Sequence, residues 1–182
     1  NDNIVWGVTN VGPSVQDLYI ERTNPENFHE FLYDGEYYKA DVREENINVK
    51  GGDVEEFEVV TTKHGPIISD LIFEERPASE VYSMQWTALE ATKELQAILA
   101  FNKAKSWDEF ETALEDFNAP AQNFVFASTD GTIAYKANGN IPVRLKGDGT
   151  LPVPGDSSEY GWSGYIPYDE LPTVVNPEEG FI

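Results

Sequence analysis

The sequence predicts an α+β fold in which antiparallel strands dominate and about two helices interrupt them. Three patterns carry that prediction. Apolar and polar residues alternate from Phe31 to Thr62, two stretches between Ala88 and Asn118 repeat apolar residues at helical spacing, and the tail from Lys146 is rich in Gly and Pro.

Taken in order, Ile4-Val5-Trp6-Gly7-Val8-Thr9 and Leu18-Tyr19-Ile20-Glu21-Arg22 are β-rich runs on either side of Gly12-Pro13-Ser14, which gives strand, ordered loop, strand. Asp34-Gly35 and Gly51-Gly52 then punctuate the alternating segment as tight hairpins. A helix is expected over Ala88 to Asn102, with Ala91, Leu95, Ile98 and Leu99 as its apolar face. Ser106 is placed to cap a second helix, with Glu109 at the capping-box position and Phe110, Ala113, Leu114 and Phe117 facing inward, ending near Asn118 to Pro120. Asn123 to Ala127 and Thr132 to Lys136 flank Ser128-Thr129-Asp130-Gly131 as a hairpin, and the tail is anchored by Tyr160, Trp162, Tyr165 and Tyr168.

With 182 residues, 40% of them hydrophobic and 13% aromatic, the chain can build a core for one domain or for one compact piece of a larger one. Twelve Lys and Arg against 33 Asp and Glu leave a formal charge of -21, which repels phosphate backbones and anionic lipid, so nucleic acid is not an expected partner. Glu44-Glu45, Glu55-Glu56, Glu74-Glu75 and Glu178-Glu179 are dispersed and read as solvated surface. The absence of cysteine excludes disulfides, thiolate chemistry and Cys-based zinc sites. No apolar run approaches the roughly 20 residues that span a bilayer, and the first residues lack the features of a signal peptide.

Phosphate loops, nucleophile elbows and dinucleotide fingerprints are missing from the sequence. His29 lies in a polar stretch, and His64 in Lys63-His64-Gly65-Pro66-Ile67 is either a proton carrier or a histidine that locks a turn. Ser14-Val15-Gln16-Asp17 either lends oxygen atoms to calcium or simply makes a turn. Asn123 opens an apolar strand, where its amide either donates to a developing oxyanion or completes a helix-to-strand turn.

Several segments, in order along the whole chain, resemble the penicillin acylase family of N-terminal nucleophile hydrolases. They include Trp6-Gly7-Val8-Thr9-Asn10, Val15-Gln16-Asp17-Leu18-Tyr19, Thr62-Lys63-His64-Gly65-Pro66-Ile67, Ala119-Pro120-Ala121-Gln122-Asn123-Phe124, Gly139-Asn140-Ile141-Pro142-Val143-Arg144, Leu151-Pro152-Val153-Pro154-Gly155 and Trp162-Ser163-Gly164-Tyr165. The resemblance implies an αββα-type fold, of which residues 1–182 are a single section of the large subunit. It also implies an amidohydrolase acting on an acylated amine, such as a β-lactam side chain or an N-acyl homoserine lactone. Such an enzyme is made as a precursor, so that self-cleavage exposes a serine at the start of the large subunit.

The resemblance places that serine ahead of Asn1 and gives the role to none of Ser14, Ser69, Ser79, Ser83, Ser106, Ser128, Ser157, Ser158 or Ser163, so the isolated section is expected to be inactive. It assigns the oxyanion donors to the Asn123 side chain and the Asn10 backbone N–H, and Arg144 to substrate orientation or bracing of the site, against a structural pairing with a carboxylate. The chemistry implied needs no cofactor. Many relatives bind calcium through an Asp-x-x-Asp loop, which here reads Ser14-Val15-Gln16-Asp17, leaving Asp17 and the Gln16 carbonyl as candidate ligands; Ser128 replaces a further common aspartate. The expected partners are the rest of the large subunit and the small subunit, in a secreted or cell-envelope setting. An alternative reading is a non-catalytic module that holds a ligand or partner on Tyr160, Trp162 and Tyr165.

Overall fold

A computed structural model describes residues 1–72 and 81–182; Glu74-Glu75 and Ser79 lie outside the described residues. The chain forms two compact units. Asn1–Val15, Thr87–Val143 and Gly164–Ile182 make the first, and Gln16–Trp86 with Arg144–Ser163 make the second.

The first unit is built on a four-stranded antiparallel sheet in the spatial order Ile4–Asn10, Gln122–Ser128, Ile133–Asn138, Thr173–Val175. Its central hairpin closes where expected: Ser128 N–H donates to the Thr132 carbonyl at 2.9 Å, and Gly131 takes φ 95, a left-handed value that glycine adopts without strain. Strand alternation then sorts the side chains. Ile4, Phe124, Phe126 and Ala134 point to one face and are buried under the helices, while Val5, Val125 and Val174 point to the other and remain exposed. The register sets Thr9 and Ala137 directly opposite Asn123, so all three share the open face.

The buried face is an aromatic core. Trp6 meets Phe101 edge-on at 4.8 Å between centroids, Phe110 packs on Phe126 at 5.1 Å and Phe117 on Phe124 at 5.3 Å. Ser106 caps the Trp107–Leu114 helix by accepting from Glu109 N–H, as the sequence predicts. The helix stops earlier than expected because the buried Asn138 side chain donates to the carbonyls of Leu114 and Phe117, at 3.1 and 2.7 Å.

The preceding helix departs further from expectation. A 3-10 turn occupies Thr87–Leu89, and the α-helix spans only Glu94–Phe101. It buries Ala97 and Phe101, leaving Leu95 and Leu99 at 72% and 53% exposure, so the expected Ala91-Leu95-Ile98-Leu99 stripe is not the inward face. Phe101 contacts Trp6, Phe110, Phe117 and Phe124, and that aromatic cluster fixes the helix's rotation over the smaller gain from two leucines.

In the second unit, Gln16–Glu21 runs between Val81–Trp86, antiparallel, and Val153–Pro154, parallel. Two predicted hairpins follow: Asn27–Tyr33 with Glu36–Lys39, and Asp41–Asn48 with Val54–Thr61. The first turns through Asp34 and Gly35 with φ 50 and 87, the paired left-handed conformation that the Asp-Gly signal anticipates. Phe31, Ala40 and Val81 form a small core with Tyr38, Val60 and Ile67 packed against it.

Candidate active site

Asn123 lies at the second position of its strand, on the sheet face opposite the helices. Its Nδ2 donates to Thr9 Oγ1 and to the Asn10 carbonyl, each at 3.1 Å, and its Oδ1 accepts from the Tyr135 hydroxyl at 2.7 Å. A backbone carbonyl only accepts, so the Asn10 contact alone determines which end of the amide carries the N–H groups. Asn10 closes the edge strand, and its Oδ1 accepts from Gln122 Nε2 at 2.9 Å. Two residues more than a hundred positions apart in sequence are thus brought together at one corner of the sheet, with an oriented amide between them.

Asp17, Gln16 and Arg144 belong to the second unit. Arg144 Nε reaches both Asp17 oxygens, at 3.1 and 2.9 Å, and its Nη2 reaches Oδ1 at 2.9 Å, while the Trp162 indole N–H donates to Oδ2 at 2.6 Å. Both side chains of the ion pair are largely buried, at 12% and 7% exposure. This is the structural pairing that the sequence left open for Arg144. It also bears on calcium: a divalent cation at Asp17 would sit against a guanidinium and compete with four N–H contacts. Among the described residues no group of three or more His, Asp or Glu is arranged to hold a metal. With Ser14 where the family loop carries a carboxylate, and Asp17 already paired with Arg144, these described residues are not by themselves arranged to hold calcium.

His64 is buried and stacks on Tyr19 at 3.8 Å between ring centroids. Its Nδ1 lies 3.1 Å from Glu21 Oε1, which also accepts from Thr62 Oγ1 and Ser83 Oγ at 2.7 Å each. A serine, a histidine and a carboxylate therefore meet, but the carboxylate stands between the other two and the group is buried, so the order is not the serine–histidine–carboxylate relay of a nucleophilic triad. Burial, with Asp17 behind it, raises the Tyr19 phenol well above its ordinary range and keeps it a hydrogen-bond donor, here to Gln85 Oε1 at 2.9 Å. His29 pairs with Glu58 at 3.4 Å on the surface.

Sequence reading missed Tyr135 and Thr9, the partners that orient Asn123. The signal was present in the hairpin: a turn closed at Ser128 and Thr132 puts Ala137 opposite Asn123, and Tyr135 is the next residue on that face. The aromatics of the alternative binding-module reading are engaged within the chain. Trp162 serves Asp17, and the Tyr165 hydroxyl donates to Glu90 at 2.6 Å.

Comparison with known proteins places this geometry in a family. The penicillin amidase family profile matches residues 1–182. The chain is 34% identical to a penicillin G acylase of Escherichia coli, covering all of this chain and 21% of that one, and 28% identical to an acyl-homoserine lactone acylase of Pseudomonas aeruginosa, covering all of this chain and 22% of that one. A solved structure of a thermostable penicillin G acylase from Alcaligenes faecalis superposes with a TM-score of 0.81 at 28% identity, covering 99% of this chain and 32% of that chain. The chain thus spans about a fifth of the length of these curated relatives. The strand-rich antiparallel architecture is that of an N-terminal nucleophile hydrolase, and the chain belongs to the penicillin amidase family.

Proposed function

We propose that this chain is the oxyanion-stabilising section of an acylase that cleaves the carbon–nitrogen amide bond of an acylated amine, with a β-lactam side chain or an N-acyl homoserine lactone as the substrate class. The oriented amide of Asn123 beside Asn10 carries the reading. In the reaction proposed, the hydroxyl of an N-terminal serine outside this chain attacks the substrate carbonyl carbon while its own α-amine takes the proton. The carbonyl oxygen becomes an oxyanion and receives N–H bonds from the Asn123 side chain and the Asn10 backbone. The amine departs with a proton as the tetrahedral intermediate collapses to an ester, which water hydrolyses. No cofactor enters these steps.

Both N–H groups of Asn123 are occupied in the resting arrangement, by Thr9 Oγ1 and the Asn10 carbonyl. The oxyanion takes the place of the Thr9 hydroxyl, a neutral acceptor on a short side chain, and the stronger charge-assisted bond drives that exchange. Arg144 braces its part of the fold through Asp17. The rest of the large subunit, the small subunit and a secreted or cell-envelope location complete the proposal; the section alone does not turn over substrate. Asn123→Ala in the complete protein tests it: turnover of a chromogenic acyl amide falls about 10²- to 10³-fold with the fold retained. Full turnover by that variant would refute the assignment.

A further inference from the structure

We infer that Tyr135 is a positioning residue for the oxyanion donor, holding the Asn123 amide with its N–H groups toward the reaction and its carbonyl oxygen away from it. The inference rests on the reading of Asn123 given above.

Three features carry it. The Tyr135 hydroxyl lies 2.7 Å from Asn123 Oδ1, the shortest of the contacts that the Asn123 side chain makes here. Tyr135 pairs with Val125 on one side and Val174 on the other, so it stands on an inner strand of the sheet, on the same open face as Asn123, and its hydroxyl reaches diagonally to an amide two residues along the neighbouring strand. Strand positions are rigid compared with loops, and the donor's aim is fixed by the sheet register.

The exchange proposed for catalysis makes this bond matter. When the Thr9 contact is surrendered, the Asn10 carbonyl and Tyr135 are the two groups named above that still hold the amide. Without the hydroxyl, the amide pivots about the Asn10 contact, and in the reversed orientation a carbonyl oxygen would face the oxyanion. The Tyr135 bond acts electronically in the same direction: donation to an amide oxygen polarises the amide and strengthens its N–H groups as donors. A residue that acts only on charge developing in the transition state changes kcat and leaves substrate affinity alone.

The experiment uses the complete protein and a chromogenic acyl amide. Tyr135→Phe keeps the ring and removes only the hydroxyl. Expected are a fall in kcat of about 3- to 30-fold, a KM within about twofold of the parent, and an unchanged Tm. Tyr135→His keeps a ring donor and recovers part of the loss, and it stands in if the Phe variant does not fold. In an Asn123→Ala background, with an activated aryl ester to keep residual turnover measurable, Tyr135→Phe has no further effect, because a positioning residue has nothing left to position. Parent-like kcat in Tyr135→Phe alongside a nearly inactive Asn123→Ala overturns the role of Tyr135 and leaves the oxyanion assignment standing. An equal kcat loss in both backgrounds also overturns it. Full turnover by Asn123→Ala overturns the underlying reading instead.

Discussion

Arg144 holds Asp17 side-on, with Nε and Nη2 both directed at one carboxylate, and Trp162 closes the remaining approach. The geometry matches a planar fork to a planar acceptor, which an ammonium cannot reproduce. Arg144→Ala leaves a buried carboxylate without its counter-charge, and a loss of about 3–5 kcal/mol is expected in chemical denaturation of the complete protein. Arg144→Lys recovers only part of it. Because the arginine already supplies the positive charge, chelation of calcium is expected to leave unchanged the protection of this site in hydrogen exchange; a loss of protection with chelator would refute that.

Gly155 is a second stability test, and space rather than backbone conformation decides it. A Cβ there would lie 2.7 Å from Glu21 Oε2 and 3.1 Å from the Ile20 carbonyl. Glu21 is fully buried and fixed by Thr62, Ser83 and His64, so it has no room to move aside. Gly155→Ala is expected to destabilise by about 1–3 kcal/mol, read as a lower denaturation midpoint with unchanged slope.

Acid provides a third. Burial pushes the Glu94 carboxyl up, but the Thr92 hydroxyl and the backbone amides of Glu94, Ala119 and Asn118 outweigh it and hold the group below its ordinary value. A depressed carboxyl contributes stability that is complete above its unfolded value and is lost as pH falls through the lower folded one. Amide exchange at Asn118 and Ala119 should therefore quicken only below the ordinary carboxylate range, and Glu94→Gln should abolish that acid step while raising exchange at neutral pH.

The hairpins, the Ser106 cap and the place of Asn123 at a strand's start were legible because each depends on neighbours in sequence: an Asp-Gly turn, a Ser followed by Glu at the third position, an apolar run after a polar residue. The inward face of the Glu94–Phe101 helix was not, since Leu95 and Leu99 fit the spacing as well as Ala97 and Phe101 do. What chose between them was Trp6, Phe110, Phe117 and Phe124, contributed from elsewhere along the chain. The same holds for Asp17. Sequence alone showed a carboxylate in a segment that could equally make a turn, the family resemblance implied a weakened calcium loop, and only the fold revealed its pairing with an arginine 127 residues away. Glu21 gave no local sign at all, since its partners come from two other strands or turns.

The interleaving of the two units sets an order on biosynthesis. Val153–Pro154 completes the sheet begun by Gln16–Glu21, and Thr173–Val175 completes the one begun by Ile4–Asn10. Each sheet thus waits for a strand supplied much later in the sequence, and neither unit is a contiguous stretch of chain. Both sheets join strands far apart in sequence, so internal truncations that remove a later strand are expected to leave an earlier one unpaired and prone to aggregate.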